Sequence, residues 1–183
     1  MTETFPRSGR WASGYDVEQV DEFFERARAA YEADPSLEEM SAEDVRAAAF
    51  DLVRHGYDPG HVDSALDRLE GAFVQRARAR SIGATGQDDW MNDVAARATT
   101  LYPRLVRPAG ERFAPPERGR GYAADAVDAL LDRLVDYFDD GAELTAADIR
   151  SATFPSAAGD RAYAEGPVDA FLDRAIDVLL AVE

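Results

Sequence analysis

The run Gly14-Tyr15-Asp16-Val17-Glu18-Gln19-Val20-Asp21-Glu22-Phe23-Phe24-Glu25-Arg26 returns three more times within the 183 residues of this chain. The second copy is Gly56-Tyr57-Asp58-Pro59-Gly60-His61-Val62-Asp63-Ser64-Ala65-Leu66-Asp67-Arg68. In the third, Gly121-Tyr122 leads into Val127-Asp128-Ala129-Leu130-Leu131-Asp132-Arg133. In the fourth, Ala162-Tyr163 leads into Val168-Asp169-Ala170-Phe171-Leu172-Asp173-Arg174. Each copy places Val five positions after Tyr, Asp directly after that Val, and Arg five positions after that Asp. Repetition at fixed spacing marks a fold assembled from one small unit used several times.

The first copy reads as a helix with a defined start. Gly14 suits a turn, since it tolerates backbone angles that other residues avoid. Asp16 is an N-cap with Gln19 three residues on. Val20, Phe23, Phe24, Ala27 and Tyr31 then form one apolar stripe at helical spacing. The second copy has Asp58 as cap and Pro59 at the first helical position. Its stripe is Val62, Ala65, Leu66, Leu69 and Phe73. Copies three and four keep the stripe but carry Ala at the capping position, so their starts are weaker.

A second element precedes copies two and four. Met40-Ser41-Ala42-Glu43-Asp44-Val45-Arg46-Ala47-Ala48-Ala49-Phe50 matches Leu144-Thr145-Ala146-Ala147-Asp148-Ile149-Arg150-Ser151-Ala152-Thr153-Phe154 position by position. Ser41 and Thr145 are N-caps, with Asp44 and Asp148 at the third helical position, although a full capping box would carry Glu or Gln there. The expectation is an all-α protein without a β-sheet. Its four units form two duplicated helix–short helix–helix halves, residues 1–82 and 121–183. Residues 83–120 lie between them, a helix capped by Asp88 or Asp89 followed by an irregular Pro- and Arg-rich linker from 103 to 120.

Both elements resemble the N-terminal domain of the DivIVA family, bacterial scaffold proteins of cell division and polar growth. That domain opens with Leu-Thr-x-x-Asp-Ile-x-x-x-x-Phe and, after a short loop, continues as Gly-Tyr-Asp-x-x-x-Val-(Asp/Asn)-x-Phe-Leu. Leu144 to Phe154 fits the first part, and Phe50 to Leu66 fits the spacing of both together. The resemblance covers most of residues 5–80 and 113–180. It implies a non-enzymatic interaction protein serving division or polar growth. Family domains dimerise, so paired copies within one chain imply that a monomer suffices here, a homodimer being the alternative. The family's loop Phe, held to dip into the membrane, is absent from all four copies. Ala12-Ser13, Arg54-His55, Gly119-Arg120 and Asp160-Arg161 stand there instead, so no direct membrane binding is expected. Trp11, Arg118 and Arg120 are the candidate interaction residues outside the repeat.

Composition adds bounds. The net charge is −16, every cation is Arg, and there is no cysteine, so neither a disulfide nor a thiolate metal site exists. Residues 1–75 carry −10, residues 76–120 carry +4 and residues 121–183 carry −10. The acids read as solvated faces that keep the chain soluble. The sharper reading docks the basic middle on the acidic halves or on an acidic partner. So acidic a chain is a poor nucleic-acid ligand. With no leader-like or spanning apolar run, a cytoplasmic location is expected. An alternative function is an acidic decoy that covers the basic surface of another protein, such as one that binds nucleic acid.

No catalytic, cofactor or metal site is expected. His55 and His61 straddle a turn, not one helical face. No phosphate loop or nucleophile motif occurs. Asp21, Asp63, Asp128 and Asp169 recur together and read as structural, near helix starts. Arg26, Arg68, Arg133 and Arg174 are candidates for pairing with an acid on a neighbouring helix. Tyr15, Tyr57, Tyr122 and Tyr163 are expected to pin each loop onto the helices.

Overall fold

The computed structural model describes residues 5–9, 12–32 and 40–183. They fall into two compact units, Met1–Thr85 and Gly86–Glu183. Trp11 and the expected Asp34-Pro35-Ser36 helix stop lie outside the described residues.

The first unit runs β1 (Ser13–Tyr15), α1 (Val17–Glu32), α2 (Ala42–Arg46), β2 (Leu52–Arg54) and α3 (Pro59–Thr85). The second begins with α4 (Gln87–Thr99) and α5 (Tyr102–Leu105). It then repeats the first unit's order: β3 (Arg120–Ala123), α6 (Ala124–Asp140), α7 (Ala146–Arg150), β4 (Ser156–Ala158), a 3-10 turn (Gly159–Arg161), β5 (Ala162–Tyr163) and α8 (Glu165–Val182). Long, short and long helices therefore recur in both units.

The all-α expectation is corrected by two small antiparallel sheets, β1-β2 and β4-β3-β5. They form where the Gly-Tyr loops cross. In the first unit the Tyr15 N–H donates to the Tyr57 carbonyl at 2.9 Å and the Tyr57 N–H to the Tyr15 carbonyl at 2.8 Å. In the second unit Tyr122 pairs with Tyr163. Gly14, Gly56, Tyr57, Gly121, Ala162 and Tyr163 are buried at the crossings, and buried backbone groups must find partners. Strands of two to four residues show no readable two-residue period, which is why the sequence gives no sign of them.

The repeated glycines have a different reason from the expected turn. A Cβ on Gly14 would fall on the Tyr57 carbonyl, one on Gly56 on the Gly14 and Tyr15 carbonyls, and one on Gly121 on the Tyr163 carbonyl. None of the three has a positive φ. They are close-approach glycines at the loop crossing.

The stripes turn inward as spaced, although Tyr31 is 43% exposed and Ala65, Leu66 and Leu69 are half-buried. Phe23, Ala27, Ala30, Val45 and Phe73 form one cluster of the first unit, and Val20, Tyr57 and Val62 another. Val127, Leu131, Leu134, Val168, Phe171 and Leu179 are core in the second unit. α8 touches both α7 and α4, and over residues 175–181 it is buried almost all round, Ile176, Val178 and Leu180 included.

Three boundaries differ from the sequence expectation of a short helix over 41–50, a second long helix ending near Arg80 and an irregular linker over 103–120. The short helices stop at Arg46 and Arg150, five residues each, yet both close full capping boxes with Asp. Asp44 accepts from the Ser41 N–H at 2.7 Å and Asp148 from the Thr145 N–H at 2.9 Å. α3 continues through Gly83 to Thr85, and α4 begins from Gly86 without a side-chain cap. The span read as irregular linker contains α5, and it buries Arg112 and Phe113.

Candidate functional site

The repeated Tyr and Asp residues meet crosswise within each unit. The Tyr57 hydroxyl donates to Asp21 at 3.1 Å, and the Tyr163 hydroxyl to Asp128 at 3.0 Å. Tyr15 lies against Asp63, and Tyr122 against Asp169. Burial first, then the neighbouring carboxylate, raises both phenols above their ordinary value. Each Tyr thus faces the Asp of the other copy in its unit. This is the reciprocal pattern of a two-fold interface, folded into a single chain.

A further repeated residue completes the crossing. Phe5 packs on Tyr57, Phe50 on Tyr15, Phe113 on Tyr163 and Phe154 on Tyr122, with ring centroids 5.4, 5.4, 5.3 and 5.1 Å apart. The residue after each Phe offers its carbonyl to the N–H that follows the partner Tyr. Asp58 donates to Pro6, Asp16 to Asp51, Ala164 to Ala114 and Ala123 to Pro155, all at 2.8–2.9 Å. Phe5 and Phe113 escaped the repeat reading because their distances to the next Tyr vary, from seven to ten residues over the four copies.

This shared frame makes positions comparable between units: Asp21 corresponds to Asp128, and Glu25 to Asp132. In the second unit the chain just before Phe113 lies along α6. The Gly110 N–H donates to Asp128 at 2.7 Å. The Arg112 guanidinium donates to the Asp128 carbonyl at 2.9 Å and to Asp132 at 2.5 Å. The Arg112 N–H donates to the Tyr163 hydroxyl at 3.2 Å. Arg112 and Asp128 are both buried. The sequence analysis missed Arg112. Its signal was a cation directly before a repeat-bearing Phe, in a stretch whose Pro and Gly content suggested only a linker.

In the first unit the matching face is an open groove of about 960 Å³. Its lining includes Glu18, Asp21, Glu22, Glu25 and Arg28 of α1, together with Arg7, Arg54 and His55. Among the described residues, Glu18, Glu22 and Glu25 have no ion pair. The residue directly before Phe5, where Arg112 stands before Phe113, is Thr4. Arg7, also in the lining, lies over the Tyr57 ring at 5.2 Å and donates to the His55 carbonyl at 2.7 Å.

The other singled-out residues are placed as follows. Val20, Val62, Val127 and Val168 are fully buried. Arg26 and Arg174 lie over Phe23 and Phe171 of their own helices, at 5.8 and 6.0 Å. Arg133 approaches Asp148 of α7 at 3.9 Å, while Arg68 lines a shallow exposed pocket with Asp58 and His61. Arg120 donates to the Ser156 hydroxyl at 2.8 Å, and Arg118 is exposed. The His61 ring lies 2.8 Å from Asp58, which holds the Asp58 carboxyl below its ordinary value. Among the described residues, no group of three or more His, Asp or Glu is arranged to hold a metal ion. No described helix is long and apolar enough to cross a membrane. No family model, curated protein or solved structure matches this chain.

Proposed function

We propose that this chain is a non-enzymatic adaptor of the DivIVA type, working in the bacterial cytoplasm for division or polar growth. Its α1 groove takes an arginine-bearing segment of a partner protein. One observation carries the groove reading. The Arg112 guanidinium donates to Asp132 and lies 3.7 Å from Asp128, whereas among the described residues their counterparts Glu25 and Asp21 have no ion pair. The acidic wall supplies the carboxylates that bidentate arginine recognition needs. The division role rests on the four Tyr…Val-Asp copies, three of them opened by Gly, and the two Thr/Ser-x-x-Asp helices. The acidic charge that motivates a decoy role acts here through the same groove, but a decoy binds by charge alone.

Calorimetric titration with an arginine-bearing peptide, and with the same peptide carrying lysine, separates the two. A groove that reads the guanidinium fork loses roughly tenfold or more in affinity on Arg→Lys in the peptide or on Glu25→Gln in the protein. Equal affinity for both peptides and a steep fall with salt would favour the decoy and sink the groove reading.

A further inference from the structure

We infer that the α6 face is a second arginine seat of the same kind, held shut by the chain's own Arg112, so that the protein presents one open seat and keeps one in reserve. This rests on the reading of the α1 groove given above. The contacts that close α6 are polar: the Gly110 N–H on Asp128, and the Arg112 guanidinium on Asp132 and on the Asp128 carbonyl. The strap that brings them, residues 106–111, is exposed throughout, with Val106 at 73%. Its turn is made by Gly110 at φ 84, and its far end is anchored by the buried Phe113 on Tyr163 and Phe171. An exposed strap with polar contacts can be exchanged for another segment that makes the same contacts, with Phe113 as the fixed end. A partner with an arginine-bearing segment therefore fills the α1 seat directly. It gains the α6 seat only by displacing Arg112. The intramolecular competitor is at high effective concentration, so the second event is much weaker than the first.

The test is calorimetric titration of the full chain with a synthetic peptide copying residues 104–114, against the same peptide with Arg112→Ala. The expected stoichiometry is one peptide on the natural chain and two on Arg112→Ala, falling to one on Glu25→Gln with Arg112→Ala. One peptide on both the natural chain and Arg112→Ala overturns the reserve seat and leaves the α1 reading standing. None on the natural chain and one on Arg112→Ala supports the α6 seat and overturns the α1 reading. None on either overturns both. If Arg112→Ala is too unstable to titrate, the melting temperature of Arg112→Ala combined with Glu25→Gln, in which the α1 groove is disabled, is measured with excess peptide. A rise with the arginine peptide and not with its alanine control supports the inference. No rise shows that Arg112 is a fixed part of the core and overturns it.

Discussion

At the scale of single residues, the loop crossing depends on groups that cannot be larger. Gly14 and Gly121 leave no room for a Cβ, because a partner carbonyl occupies its place. A rigid carbonyl cannot move aside as a side chain would. Gly14→Ala and Gly121→Ala should each cost about 1–3 kcal/mol, the range for overpacking a tight site. Gly71 sits within α3 with nothing within 4 Å of a built Cβ. Gly71→Ala should therefore stabilise the first unit by roughly 0.5–1 kcal/mol, the helix-propensity difference. Urea denaturation of the three variants checks both signs. The repeated phenols predict a pH response. Tyr15, Tyr122 and Tyr163 are raised above 10.0, by burial first and also by their carboxylate partners. A raised folded-state value gives stability that is fully present below pH 10 and is lost as pH rises through it. Asp44 and Asp148 are lowered by hydrogen bonds from Ser41 and Thr145. Their contribution is present above the ordinary carboxylate value and is lost as pH falls through the lower one. Melting temperature against pH should thus fall at both ends. Tyr163→Phe should flatten the alkaline limb, and an unchanged limb would refute the assignment.

At the scale of elements, the two units solve one packing problem in two ways. Arg46 of α2 donates to Glu70 of α3 at 2.6 and 2.8 Å, with Glu70 only 2% exposed. Eight residues after its own repeat Val, α8 carries Ile176 where α3 carries Glu70, and Ile176 is buried. Desolvating an ion pair costs about as much as the attraction returns, and apolar replacements of similar volume are often neutral or stabilising by about 1–4 kcal/mol. Arg46→Leu with Glu70→Ile should therefore leave the first unit as stable or more so, while Arg46→Leu alone costs clearly more than the double change. Thermal denaturation of the single and double variants decides it. The helices were legible because the stripe Val20, Phe23, Ala27 repeats a pattern that only burial of one face explains. The strands were not, because Ser13–Tyr15 and Ala162–Tyr163 pair for reasons lying forty residues away in the chain. Arg112 was illegible for a related reason. Its neighbours Pro108, Gly110 and Pro115 describe a turn, and a turn does not reveal what it carries to a helix face.

At the scale of the whole molecule, charge placement decides which surfaces the protein meets. The basic stretch 76–120 carries +4, and taken alone it reads as a patch for lipid or nucleic acid. The structure has already committed much of it. Arg76 donates to the Ala30 carbonyl at 2.9 Å, Arg97 to Asp93 at 3.0 Å and Arg104 to the Arg112 carbonyl at 2.6 Å. Arg112 is buried against α6, and Arg120 is tied to β4 through Ser156. Each cation left near an anionic surface contributes about 1 kcal/mol at best, against −10 on each flanking stretch. Neutralising phosphates on a nucleic acid needs several clustered cations, and among the described residues none of the four Tyr-bearing loops brings them together. Phosphatidylglycerol-rich vesicles should therefore leave the protein in the supernatant at physiological salt, and labelled duplex DNA should show no retardation. Co-sedimentation that vanished on Trp11→Ala would mean that the first loop alone holds the chain to lipid. In that case net charge would not govern the outcome, and the interaction surface would have to be sought at Trp11, Arg7 and Arg10 instead of along α1.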